Sequence, residues 1–171
     1  MAQISNLDKK YDPAIEPIRA LYDEYFGGGM NSIVFQEMRE TRGLAYSAWA
    51  SIMPPSYLKY PYVLRTQIAT QNDKMIDAVT TFNDIINNMP ESEAAFKLAK
   101  DGLTNRLRTE RIIKGDIIWS YINAQDLGQN VDPRIKLYND IQNMSLKDIV
   151  DFQKQWVKGR TYVYCILGDK K

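Results

Sequence analysis

Residues 26–47 read FGGGMNSIVFQEMRETRGLAYS. Three glycines interrupt sequence that is patterned as helix on both sides. Before them, Ile15, Ile18, Tyr22 and the pair Tyr25/Phe26 recur at helical spacing. After them, Asn31 or Ser32 offers an N-cap for a second helix with Val34, Phe35 and Met38 on its apolar side. Gly43 supplies the C′ residue that ends this helix. LAYSAWASI (44–52) then alternates small and large residues and reads as a strand. A phosphate-binding loop would follow a strand and carry Gly-Lys-Ser/Thr. Here the glycines follow a helix, and Met30-Asn31-Ser32 comes next. The run therefore reads as a tight helix-to-helix joint, where glycine tolerates positive φ and close approach of two backbones.

Working outward, AQISNL (2–7) is short and weakly strand-like, as though its beginning were missing. Asp12-Pro13 is a helix-start signal, and Pro17 must lie within the first turn because it has no N–H to give. YVLRTQIAT (62–70) is a strand with Leu64, Thr66 and Ile68 on one side, and it pairs antiparallel with 44–52 across a proline-broken connection. Met75, Val79, Phe82 and Ile86 form a helical stripe stopped by Pro90. Ser92 caps a long helix through Phe96, Ala99, Leu103 and Leu107. A break near Gly115 leads to IIWSYINAQDL, and Asp132-Pro133 starts another helix. Ser145 with Asp148 has capping-box spacing ahead of Ile149, Phe152 and Trp156, and Gly159 ends that helix. TYVYCILG (161–168) reads as a continuous apolar strand at the centre of the sheet, with Cys165 as a small core residue. Strands neighbour in pairs and helices segregate, which predicts an α+β fold with a β-α-β-β-α-α core.

At 171 residues, 44% of them hydrophobic and 25% charged, the chain is one domain with a substantial core. Its 22 basic and 21 acidic residues give a net charge of +1, which leaves no electrostatic footprint for nucleic acid. No apolar run approaches the roughly 18 residues that span a bilayer, and MAQISNLDKK carries no signal-peptide core. There is no histidine and one cysteine. That removes Ser-His-Asp and Cys-His catalysis and every histidine-based zinc motif, so the chain is expected to hold no metal or other cofactor.

The stretch from the glycines to Tyr46 resembles the pitrilysin/insulinase family of zinc metallopeptidases, the inverzincins. Members carry a glycine-rich turn, a helix with the pattern S-x-x-F-x-E-x-R-E-x-x-G-L-x-Y, and a strand. Here these positions are Ser32, Phe35, Glu37, Arg39, Glu40, Gly43, Leu44 and Tyr46. TQNDK (70–74) ahead of a helix and the closing YCILGDK are similar to bacterial members, so the resemblance extends over the whole chain. It implies a two-layer α/β sandwich of the processing-peptidase (metallohydrolase) type, and a chain that is one piece of a larger multi-domain protein. Zinc, held by H-x-x-E-H and a distal Glu, would belong to another half in the same polypeptide or a partner chain. A chain without histidine then corresponds to a C-terminal, non-zinc domain that lines the peptide chamber. Arg39 and Tyr46 match the pair that reaches the active site across the chamber, and Gly27, Gly28 and Gly29 would border the peptide.

Plainer alternatives attach to each of these residues. Arg39 pairs with Glu40, Glu37 or Asp23 as a surface charge, and Tyr46 is an ordinary sheet aromatic. Arg42 is more simply a solvated charge than a site residue. Trp49, Trp119 and Trp156 are core or inter-domain packing. At the level of function, a catalytically dead structural relative of the same superfamily and an unrelated peptide- or protein-binding module stand beside the peptidase reading. An isolated clamshell domain would also expose apolar surface and self-associate. No residue reports a compartment, so a periplasmic and a cytoplasmic location in a bacterium are both open.

Overall fold

The computed structural model describes residues 1–111 and 113–168. Four strands form one antiparallel sheet: β1 (Ala2–Lys10), β2 (Ser47–Met53), β3 (Pro61–Ala69) and β4 (Val163–Cys165), in the order β2-β3-β1-β4. The helices are α1 (Glu16–Phe26), α2 (Ile33–Phe35, continuing as a π-helix over Gln36–Thr41), α3 (Met75–Asn87), α4 (Glu93–Thr109), α5 (Lys114–Asp126), α6 (Pro133–Gln142) and α7 (Leu146–Trp156). The mixed α/β class and the order of elements are those expected. None of these helices is long and apolar enough to cross a membrane.

Helices cover one face of the sheet. Ala48, Ala50 and Ile52 of β2 and Tyr62, Leu64, Thr66 and Ile68 of β3 point into it. The opposite face, with Ile4, Arg65 and Gln67, meets solvent, as one-sided antiparallel sheets do. At the centre lies α1, whose Leu21, Tyr22, Tyr25 and Phe26 are fully buried. Tyr22 stacks on Phe26 at 5.2 Å between ring centroids, and Phe152 lies on Trp156 at 5.1 Å. The Tyr22 hydroxyl donates to Gln153 Oε1, and the Gln153 amide donates to the Ile86 carbonyl, so one buried glutamine ties α1, α3 and α7. Ser145 and Asp148 form the reciprocal capping box of α7, and Ser92 caps α4.

Three local expectations are corrected. The first helix begins at Glu16, because the Asp12 carboxylate closes a turn by accepting from the Ala14 N–H at 2.8 Å; Pro17 still falls in the first turn. β1 runs on to Lys10 through a bulge, where Asp8 takes a positive φ of 53° and its N–H is held by Asn6 Oδ1. The C-terminal apolar run forms a three-residue strand at the edge of the sheet rather than its centre, paired with β1 alone among the described residues. Cys165 is accordingly exposed instead of buried. Apolar character on both sides of a strand says that something covers it, not which neighbour does so.

Candidate functional site

Arg39 and Tyr46 are brought together. Ser32 Oγ accepts from the Phe35 N–H and starts α2, and the π-helix that follows widens the turn carrying Arg39. Gly43, at φ +58°, reverses the chain, a conformation that costs L-residues with a side chain about 1 kcal/mol. Tyr46 then stands just ahead of β2, its N–H donating to the Ala69 carbonyl at 2.8 Å. The Arg39 guanidinium carbon lies 5.6 Å from the Tyr46 ring centre and 5.0 Å from that of Phe35. Glu40 approaches Arg39 only to 3.6 Å and both are exposed, so this contact contributes under about 1 kcal/mol. Arg42 is instead paired with Glu37.

Tyr46 is 80% exposed, which separates it from Tyr62, a fully buried aromatic of β3. It borders a groove of about 720 Å³ whose walls include Leu44, Gln67, Lys74, Met75 and Leu167. The glycine run stands apart from this groove. Gly27 is buried where α1 meets β2: a Cβ there would lie 2.2 Å from the Ala50 carbonyl oxygen. Gly28 and Gly29 are exposed. Two residues that composition and spacing did not single out, Thr70 and Lys74, reach the loop between Arg39 and Tyr46. Both lie within the TQNDK stretch, but nothing local in the sequence signals their contact with residues about thirty positions earlier.

The residues present do not fit a zinc ion. The chain has no histidine, and no three Cys, Asp or Glu side chains cluster closely enough to hold a metal among the described residues.

A model of the peptidase M16 inactive domain matches residues 17–103, half of the chain. This chain belongs to that family. The M16 inactive domain described here is 27% identical over 152 residues to the non-peptidase homolog YmxG of Helicobacter pylori, an alignment covering 85% of this chain and 34% of that protein. It thus spans about a third of the length of its curated relative. In fold it is similar to the inactive peptidase domain of a candidate zinc protease from Bordetella parapertussis, with a TM-score of 0.74 at 12% identity, over 96% of this chain and 90% of that one. It is also similar to the M16 inactive domain from Pseudomonas fluorescens, with a TM-score of 0.66 at 16% identity, over 90% of this chain and 37% of that one. The resemblance read from the glycine-to-tyrosine stretch and the family match agree.

Proposed function

We propose that this domain lines the peptide chamber of a zinc-dependent metallopeptidase and presents Arg39 and Tyr46 to the active site of a zinc-bearing half, in the same polypeptide or in a partner chain. The observation that carries this reading is the pair itself: a guanidinium 5.6 Å from an aromatic ring that is 80% exposed, on a loop fixed to the end of the sheet. A tyrosine held so openly buries little of its ring in the fold. Arg39 offers a planar fork of donors for the carbonyls of an extended peptide. The Tyr46 hydroxyl donates to a carbonyl oxygen as that oxygen gains charge during attack, which lowers the barrier more than it tightens ground-state binding. Zinc and its H-x-x-E-H ligands would come from the other half and supply the hydrolytic chemistry. Gly28 and Gly29 keep the chamber wall free of side chains, and Gly27 holds α1 on β2 beneath it.

Peptide hydrolysis by the full-length protein with its zinc half, comparing Tyr46→Phe with wild type, tests the reading. A fall in kcat of about tenfold or more at similar KM is expected; unchanged kinetics would reduce Tyr46 to chamber wall.

A second reading, a structural relative without catalysis, is favoured by one observation, the H. pylori relative named as a non-peptidase homolog. Absence of hydrolysis by the complete protein would select it. Under either reading the apolar side chains of α5 belong against another domain, and the isolated chain self-associates through them.

A further inference from the structure

The loop joining Arg39 to Tyr46 is held from outside by two side chains. Thr70 Oγ1 donates to the Leu44 carbonyl at 2.5 Å, and Lys74 Nζ donates to the Gly43 carbonyl at 3.2 Å. Thr70 follows β3 directly and Lys74 precedes α3, so both come from one strand-to-helix junction packed under the loop. The N–H groups of the loop are also taken. That of Gly43 donates to the Arg39 carbonyl at 3.1 Å, those of Leu44 and Ala45 to the Met38 carbonyl at 2.9 and 3.2 Å, and that of Tyr46 to the Ala69 carbonyl.

Tyr46 is 80% exposed, with the Arg39 guanidinium 5.6 Å from its ring centre. The direction in which its Cα–Cβ bond leaves the chain is set by the backbone from Gly43 to Tyr46. Two consecutive carbonyls of that backbone have side-chain donors, which hold its peptide planes together with the backbone bonds made by their N–H groups. We propose that Thr70 and Lys74 are positioning residues that fix the separation and orientation of Arg39 and Tyr46, and so the geometry with which the pair meets a peptide. This rests on the function proposed above for that pair. Fixing such groups in advance raises turnover, since ordering them at the moment of reaction would otherwise add to the barrier.

Two readouts on the full-length protein test the assignment. In Thr70→Val, amide hydrogen exchange at Leu44, Ala45 and Tyr46 should speed up by about tenfold while the core strands stay protected, and Thr70→Ser should restore it. Lys74→Met and Lys74→Arg form a second pair in case the valine variant folds poorly. In peptide hydrolysis, Thr70→Val should lower kcat by about tenfold with KM within about twofold, and should lower it no further in a Tyr46→Phe background. Unchanged exchange at the loop in both Thr70→Val and Lys74→Met overturns the assignment. So does an equal loss of kcat with and without the Tyr46 hydroxyl, which marks a general structural effect. If Tyr46→Phe alone leaves kcat unchanged, the function proposed for the pair fails, and the exchange result by itself decides whether Thr70 and Lys74 hold the loop.

Discussion

At the scale of single residues, glycines that look alike in sequence face different physical constraints. Gly27 sits where the end of α1 touches β2, with the Ala50 carbonyl oxygen 2.2 Å and its nitrogen 2.5 Å from where a Cβ would be. Both are backbone atoms of a paired strand and cannot swing aside. Gly27→Ala should therefore destabilise the domain by about 3 kcal/mol, read as a lowered urea midpoint, because overpacking against rigid backbone has no cheap relaxation. Gly29 has nothing nearer than a Glu24 carboxylate oxygen at 3.9 Å, and Gly29→Ala should leave the midpoint almost unchanged. Equal effects at the two positions would show that the close approach is not what requires glycine at Gly27.

At the scale of elements, the contact between α1 and β2 shows how an edge strand is closed by a helix. Strand β2 has β3 on one side only. Its outward groups are met by one face of α1: the Ala50 N–H donates to the Gly27 carbonyl at 3.4 Å, the Ile52 N–H to Asp23 Oδ1 at 2.8 Å, and Arg19 Nη1 to the Ile52 carbonyl at 2.9 Å. Arg19, Asp23 and Gly27 are spaced at i, i+4 and i+8, so one helical face supplies all three partners. The edge is thereby shielded from pairing with another chain. Burial pushes the Asp23 carboxyl up to about 6, against the lowering effects of Arg19, the Ile52 N–H and the Ser51 hydroxyl. A folded-state pKa above the unfolded value of 3.8 means that folding takes up a proton between those limits. The stabilisation is complete below about pH 4 and is lost as pH rises through about 6. Relative to Asp23→Asn, which does not titrate there, wild-type stability should fall by about 2 kcal/mol between pH 4 and 7. Parallel stability–pH profiles for the two proteins would count against this account.

At the scale of the whole molecule, the surface is uneven. Helix α5 buries none of its residues, although it carries Ile117, Ile118, Trp119, Tyr121 and Ile122; Trp119 is 64% exposed. A helix this apolar on all sides is normally covered. The chain matches about 37% of the length of the P. fluorescens relative and 34% of the H. pylori one, so in those proteins much more polypeptide is at hand to cover such a helix. If α5 seats against the zinc-bearing half, acrylamide quenching of Trp119, taken as the difference between wild type and Trp119→Phe, should drop when that half is added. Quenching that does not change would place the interface elsewhere. The same measurement on the isolated domain should show quenching that falls with protein concentration, as self-association buries the helix.

Sequence alone determined the ladder of elements and the family. Helical periodicity, Ser92 and Ser145 as caps and Gly43 as the C′ residue follow from local rules, because each is settled by residues within a few positions of one another. The antiparallel pairing of β2 with β3 follows from their being consecutive strands joined by a short, proline-broken connection. The stretch from Phe26 to Ser47 carried the family in the same way, and Arg39 and Tyr46 could be singled out there as a candidate pair. Tertiary structure decided what depends on distant neighbours. It placed the C-terminal strand at the edge, left Cys165 and Trp119 in solvent, and split the glycine run into Gly27 and Gly28, each close against backbone, and Gly29, which has open space around it. It also delivered Thr70 and Lys74 to a loop about thirty residues away in sequence. Apolar pattern reports only that a face wants covering and local signals report only where the chain turns, so the partner that does the covering is known once the chain has folded.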